Sequence, residues 1–226
     1  HLVVTMPDQP SAGFLADLVA ALTGGATWAR APQRIGEIDD LEQLLGRRCD
    51  ATLLVAALRG YQLPGVKVDR RARDEARRIA VQLRELLNLP TDDQGSVQQP
   101  WAQQLDSGEL GCLAETALPE LAYVRRSKRR QAMGNGRDEV SIDERSLLSP
   151  DGEAALVFDA HSIPGKGTKQ TITVATCLAP LPIQALATAG IGDTALEEPH
   201  WDNGTLTVRR QQLYAGRVID SAVIEP

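Results

Sequence analysis

The sequence predicts an α+β protein, in which a helical bundle over residues 1–119 precedes a small antiparallel β-barrel or sandwich over residues 120–226. Two observations carry this prediction. Before Pro119, apolar residues recur at the three- and four-residue spacing of amphipathic helices. After Pro119, they recur in short β-prone runs that are separated by glycine-containing turns. The change of period places the domain boundary close to residue 120.

The clearest predicted helix covers residues 69–89. Asp69 is a favourable N-cap residue, and Pro90 closes the segment because proline cannot continue a helix. One apolar stripe runs along this helix and consists of Ala72, Ala76, Ile79, Leu83, Leu86 and Leu87. The pattern predicts a helix that packs one face against a core.

Four further helices are predicted in the first half of the chain. They cover residues 11–22, 38–46, 51–59 and 101–118. Asp50 stands directly before the third of them and is a candidate N-cap. With the helix over 69–89, these segments are enough for a bundle.

About six short strands are predicted after residue 120. Residues 171–174 alternate between polar and apolar side chains, as in a strand with one buried face. Turns are predicted at Gly134-Asn135-Gly136, at residues 164–167 and at Asp202-Asn203-Gly204. Residues 218–224 form the last predicted strand. Short strands at this spacing favour a small barrel or a sandwich.

The composition excludes several classes of protein. The 226 residues are 42% hydrophobic but only 4% aromatic, so aliphatic side chains must fill the core. A net charge of -6 argues against a general nucleic-acid coat protein, although it allows a local basic patch. With no apolar run of about 18 residues and no visible signal peptide, we expect a cytoplasmic protein with no membrane partner. His1 in place of Met indicates a tag scar or a fragment of a longer protein.

The three cysteines are Cys49, Cys112 and Cys177, which lie 63 and 65 residues apart. Their odd number and wide spacing fit neither a disulfide framework nor a zinc site. We therefore expect buried free thiols in a reducing compartment.

No motif in the chain predicts catalysis, a cofactor or a metal. Residues 164–169 contain a Gly-Lys-Gly-Thr run, but the glycine spacing of a phosphate-binding loop is absent and a predicted strand follows. There is no His-Glu-x-x-His run and no Gly-x-Ser-x-Gly elbow. We expect no catalytic, cofactor-binding or metal-ligating residue.

Positive charge is the most unusual feature of this acidic chain. Directly after Tyr123, five cations occupy six positions, namely Arg125, Arg126, Lys128, Arg129 and Arg130. Arginine and lysine neutralise phosphate charge and release counterions, so the cluster favours a nucleic-acid contact. The alternative interpretation is a solvated turn or strand edge.

Further residues are expected to join this surface. Arg137, Lys166 and Lys169 lie on predicted neighbouring loops, and Tyr123 could offer a stacking face to a base. The predicted helix over 69–89 has a second basic face, formed by Arg70, Arg71, Arg73, Arg77, Arg78 and Arg84. For that helix, a solvated face and a nucleic-acid contact stay equally open.

Short motifs follow one another in a characteristic order along the chain. They are an Arg- and Leu-rich run over 77–89, a Leu-rich segment that ends in arginines over 113–126, the turn Asn135-Gly136-Arg137, and a strand pair over 201–210 and 214–219. Over residues 50–226 this order resembles the C-terminal half of the HrpB-type bacterial DEAH-box helicases. Leu118 and Leu121 depart from the family's pattern, which favours an aromatic residue and an arginine there.

The resemblance implies a specific architecture and role. Residues 1–119 would belong to the helical bundle, which can include a winged-helix remnant, and residues 120–226 to an oligonucleotide/oligosaccharide-binding (OB) barrel. In such helicases these modules form the far wall of a channel for single-stranded RNA or DNA. The RecA-like motor domains of the same polypeptide would hold ATP and Mg²⁺, so this chain alone is not expected to hydrolyse ATP.

Two other functions stay open at this point. One is a freestanding nucleic-acid-binding module, which the same arginines support. The other is a protein-interaction or structural domain, in which the cations are merely solvated. A salt-dependent affinity for single-stranded RNA separates the last function from the first two.

Overall fold

The computed structural model describes residues 9–90, 119–165, 171–202 and 205–224. Within these residues the protein is α+β, with five helices and a closed five-stranded barrel. The predicted α+β class is thereby confirmed, although two short strands lie before residue 119 and one short helix lies after residue 120. The helix predicted over 101–118 lies outside the described residues.

The helices of the bundle are α1 (Gln9–Leu22), α2 (Ile35–Leu45), α3 (Asp50–Arg59) and α4 (Arg70–Leu86). Two short strands, β1 (Ala29–Arg30) and β2 (Lys67–Val68), lie in the segments that connect these helices and pair with each other antiparallel. None of the helices in the described ranges is long and apolar enough to cross a membrane.

Local sequence signals explain where α4 begins. The Asp69 carboxylate accepts hydrogen bonds from the backbone N–H groups of Arg71 (3.0 Å) and Ala72 (3.2 Å), which confirms the predicted N-cap. The helix buries Ala76, Ala80 and, against expectation, Arg84. Arg84 is therefore part of the core, and the basic face of α4 is smaller than predicted.

The expectation that Asp50 caps α3 is wrong. Cys49 occupies the N-cap position, and Asp50 is the first helical residue. The Asp50 carboxylate turns away from the helix and accepts hydrogen bonds from the Ser146 hydroxyl (2.6 Å) and from the N–H groups of Leu147 (2.7 Å) and Leu178 (3.1 Å). One carboxylate of the bundle thus accepts hydrogen bonds from three donors that lie after residue 120.

The barrel consists of five strands between residues 122 and 181, namely β3 (Ala122–Arg125), β4 (Ala132–Gly134), β5 (Glu139–Ile142), β6 (Ala154–Pro164) and β7 (Thr171–Leu181). The strand order is β3-β4-β5-β7-β6, and β6 pairs with β3 to close the ring. Four of the five pairings are antiparallel, whereas β5 and β7 are parallel, with Ser141 opposite Val174. The barrel is mixed, not purely antiparallel as expected, because a closed ring with an odd number of strands cannot reverse direction at every pairing.

The strands after the barrel form a sheet of their own. Helix α5 (Ile183–Thr188) follows β7 and leads to β8 (Asp193–Leu196), β9 (His200–Asp202), β10 (Thr205–Tyr214) and β11 (Arg217–Ile224). In this antiparallel sheet β10 pairs with all three other strands. The strands predicted near the C-terminus therefore exist, but they lie beside the barrel and not in its wall.

A single hydrophobic cluster joins the bundle to the barrel. It includes Leu18, Leu54 and Leu58 of the helices together with Leu156 and Leu181 of the barrel strands. A second, smaller cluster consists of barrel residues alone. The division near residue 119 stays a prediction of the sequence, since the core of the described residues runs across that position.

The predicted buried free thiols are confirmed for Cys49 and Cys177, and Cys112 lies outside the described residues. Burial is the largest cause that raises the pKa of both thiols, and for Cys177 it raises it well above the ordinary range. Both side chains are completely buried, so they behave as small apolar groups of the core.

Candidate nucleic-acid interface

Most of the predicted cations lie on the turn between β3 and β4, residues 126–131, which we call the basic turn. Two backbone hydrogen bonds close it, from Arg126 N to Ala132 O and from Ala132 N to Arg129 O, both 2.9 Å long. This connection leaves residues 127–131 exposed at one end of the barrel. The fold thus presents the predicted contact residues of this region to solvent, Arg126 only in part, with two exceptions.

Arg125 is the first exception, because the residue is only 7% exposed. It donates hydrogen bonds to the backbone carbonyls of Gly152 (2.6 Å), Ser149 (2.9 Å) and Arg130. Burial is the largest cause that lowers the pKa of Arg125, and the neighbouring Arg130 lowers it further. Arg125 therefore fastens the basic turn to the loop over 149–152, and we remove it from the expected contact surface.

Replacing Arg125 by lysine is expected to lower the free energy of unfolding by about 1–3 kcal/mol. A lysine keeps the charge but cannot present the planar fork that reaches three carbonyls, so buried acceptors lose their donors. Urea unfolding measures the change, with Lys128→Ala at an exposed position of the same turn as the control. Equal stability of the two variants would show that the three hydrogen bonds contribute nothing.

Tyr123 is the second exception. Its side chain is 9% exposed and belongs to the cluster inside the barrel, together with Met133, Val140 and Leu178. Burial raises the pKa of its hydroxyl, and the nearby Asp138 adds to the rise. A ring in this position cannot stack on a base, so the expected stacking role of Tyr123 is not supported by its location. Period-two alternation in the sequence could not predict the burial of Tyr123, because all four residues of β3 are buried and no polar and apolar faces alternate.

Glu139 balances part of the charge on the basic turn. Its carboxylate lies 3.2 Å from Arg126 Nε and 2.8 Å from Arg129 Nη2. Arg126 also donates to Ala215 O at 2.7 Å, which connects the barrel to the β10–β11 hairpin. The Arg126 guanidinium passes so close to Gly134 that a Cβ at this position would come within 3.0 Å of it.

Lys128 and Arg130 are exposed, and the structure shows no ion pair for either side chain among the residues it describes. The basic turn thus carries four cations, of which Arg126 and Arg129 contact Glu139, so that these five residues together have a net charge of about +3. The pair between Arg129 and Glu139 is exposed and therefore weak, so a phosphate can compete for the guanidinium.

The remaining predicted contacts lie on other connections of the barrel. Arg137 is exposed in the next turn, where the Asn135 side chain accepts from the N–H groups of Arg137 (3.0 Å) and Asp138 (2.8 Å). Successive hairpin turns lie at opposite ends of the strand between them, here the three-residue β4, which spans about 10 Å. Lys166 and Lys169 lie outside the described residues.

The second basic face, on α4, is partly used inside the protein. Arg73 lies 3.4 Å from Asp74, Arg77 donates to Leu58 O at 2.5 Å, and Arg84 is buried against Asp17. The cations of α4 that stay exposed are Arg70, Arg71 and Arg78. They form a smaller patch than the sequence predicts and serve as a natural comparison for the basic turn.

In the described parts of the chain, no three histidine, cysteine or carboxylate side chains come together in a way that could hold a metal ion. No protein-family model matches the chain, and no curated protein sequence is significantly similar to it.

Proposed function

We propose that this chain binds single-stranded nucleic acid through the basic turn, as an accessory part of an ATP-dependent RNA helicase. The observation that carries the proposal is the concentration of Arg126, Lys128, Arg129 and Arg130 on one exposed turn of a protein whose net charge is -6. Cations gathered on one loop neutralise consecutive phosphates, and the release of their counterions drives binding.

The barrel supports this role through the position of the turn. The OB fold is a five-stranded barrel that binds oligonucleotides with the loop between its first and second strands and the loop between its fourth and fifth. The basic turn connects the first and second barrel strands. In the sequence, Lys166 and Lys169 fall between the fourth and the fifth. Both basic segments therefore occupy the connections that an OB barrel uses, which supports an OB-type assignment.

The strand order supports the same assignment. Numbered within the barrel, the strands run 1-2-3-5-4, and the third and fifth are parallel. A Greek-key barrel of five strands closes in this way, and the OB fold is such a barrel.

The helicase context rests on the resemblance over residues 50–226. Under this proposal the RecA-like motor domains of the same polypeptide hold ATP and Mg²⁺, while the bundle and barrel line a channel for the single strand. The isolated chain is then a weak binder, because its acidic remainder repels phosphate and the contacts of the motor are missing.

Replacing Lys128, Arg129 and Arg130 together by alanine is expected to weaken binding of a labelled single-stranded RNA by roughly tenfold or more at low salt. The three side chains are exposed, so the variant should keep its fold. Fluorescence anisotropy measures the affinity, and circular dichroism checks the fold.

The matched control is the triple alanine variant of Arg70, Arg71 and Arg78. It removes the same charge from exposed positions of α4, so both variants have the same net charge. We expect the control to bind with nearly the affinity of the parent. Equal losses in the two variants would mean that only net charge matters, and the assignment of the basic turn would fail.

A further inference from the structure

A cleft of about 280 Å³ opens where the helical bundle meets the barrel. One wall is the segment over 26–31, a second is the start of α3, and a third is the loop over 143–146 with His161 of β6 and Thr176 of β7. No residue of the basic turn lines it. The volume is close to the lower end for small-molecule sites, so the cleft suits a ligand about as large as one nucleotide.

The inner polar groups of the cleft already have partners. The Asp50 carboxylate accepts three hydrogen bonds, one of them from the Ser146 hydroxyl, and the Thr176 hydroxyl donates to Asp159 Oδ2 at 2.5 Å. Leu53 and Leu54 lie beside them with three alanines of the opposite wall. The inner surface therefore combines a small apolar area with polar groups that already have hydrogen-bond partners.

The mouth of the cleft is polar and carries charges of both signs. Arg30 and Arg145 are exposed there, and among the described residues the Arg30 side chain makes one hydrogen bond, from Nε to Thr27 O at 3.1 Å. Glu144 and His161 are also exposed, and the structure shows no side-chain partner for Arg145, Glu144 or His161 within its described ranges. Two guanidiniums and two carboxylates, those of Asp143 and Glu144, thus line the cleft, and Asp143 Oδ1 already accepts a hydrogen bond from Arg145 N at 2.8 Å.

This combination selects among ligand classes. A simple anion would meet the carboxylates of Asp143 and Glu144, and a simple cation would meet the two arginines. A nucleotide offers phosphate oxygens to guanidinium groups, donates from ribose hydroxyls and base amino groups to carboxylates, and places a flat base against apolar side chains.

We infer that the cleft between bundle and barrel binds one nucleotide, with its phosphate at Arg30 and Arg145 and its ribose or base donors at Asp143 and Glu144. The inference deepens the proposed function and takes its ligand class from it. The nucleotide is either free or a unit of a bound strand, since both present the same groups to the cleft.

The imidazole of His161 provides a local reporter. In NMR spectra of the 226-residue chain, we expect the His161 Hε1 resonance to shift saturably when adenosine monophosphate is added. His200 lies on β9 of the separate C-terminal sheet and is the internal control, which should not move. Replacing Arg30 and Arg145 together by alanine should weaken the apparent affinity at least tenfold, while the Arg71→Ala/Arg78→Ala variant, which removes the same charge from exposed positions of α4, should leave it unchanged.

Titrations with other ligands distinguish a free nucleotide from a unit of a bound strand and show whether the inference fails. A short oligoadenylate that shifts His161 supports a nucleotide unit within a strand, and a shift with the mononucleotide alone supports a free ligand. An equal shift with inorganic phosphate, or none with any nucleotide, overturns the inference. The anisotropy measurement of RNA binding by the triple alanine variant of the basic turn does not depend on His161, so it tests the proposed function separately.

Discussion

Replacing Arg84 by alanine is expected to lower the free energy of unfolding by about 3–5 kcal/mol. Arg84 and Asp17 are both almost completely buried, and the guanidinium donates to the carboxylate through Nε (2.7 Å) and Nη2 (2.8 Å). It also donates to Pro90 O at 2.6 Å. The truncation removes the Arg84 cation from the buried carboxylate of Asp17, and it also removes the hydrogen-bond donor of Pro90 O.

Urea unfolding of the Arg84→Ala variant measures this loss. Arg78→Ala, at an exposed position of the same helix, controls for helix propensity and for the loss of one charge, and we expect it to change stability by at most about 0.5 kcal/mol. Arg59 also binds Asp17, at 2.7 Å, so Asp17→Ala should be at least as destabilising as Arg84→Ala. A loss below about 1 kcal/mol for Arg84→Ala would contradict the account of α4.

The Asp50 carboxylate is expected to make the protein less stable as the pH rises from about 4 to about 6. Burial raises its pKa from 3.8 to about 6, although its three hydrogen bonds oppose the rise. Because the folded pKa lies above the unfolded value, the folded state holds the proton more tightly. The contribution of the group is therefore most favourable below pH 3.8 and declines until the pH passes 6, by about 3 kcal/mol in total.

Comparison with Asp50→Asn isolates this effect. The asparagine does not titrate, so the unfolding free energy of the parent should fall relative to that of the variant by about 2 kcal/mol between pH 4 and pH 7. Asp151→Asn, at an exposed turn, is the control for replacing an acid by its amide. A difference that stays constant with pH, or grows in favour of the parent, would mean that Asp50 is not held in a desolvated site.

The sequence predicts the elements whose causes are local. The N-cap at Asp69 and the apolar stripe that follows are both contained in one segment, so α4 begins where the pattern places it. The same holds for the exposed cations at Lys128, Arg129 and Arg130, which lie on a turn between two short strands. Their exposure follows from the hairpin, which needs no distant partner.

Features that depend on partners far away in the chain cannot be predicted from local sequence patterns. Arg84 is recognised as a core residue only when Asp17, 67 positions away, is known to face it. Arg125 lies among exposed cations in the chain, yet its partners include Gly152, 27 positions away. Asp50 stands where an N-cap is expected, but its acceptor oxygens meet donors 96 to 128 positions away.

The architecture of the strands depends on closure in the same way. Period-two alternation identifies strands but does not tell which of them enter the barrel wall. The ring closes after five strands, at the pairing of β3 with β6, so the strands after residue 190 form a separate sheet. The parallel pairing of β5 with β7 follows from the odd number of strands and has no signature in either segment.

The salt dependence of single-stranded RNA binding tests the central claim most directly. For single strands, the plot of log affinity against log salt has a slope of about -0.7 for each phosphate that the protein neutralises. If Lys128, Arg129 and Arg130 each contact a phosphate, the triple alanine variant should have a slope shallower by about 2 than the parent, while the α4 control keeps the slope of the parent. Identical slopes for the parent and the basic-turn variant would contradict the claim that this turn contacts the nucleic-acid backbone.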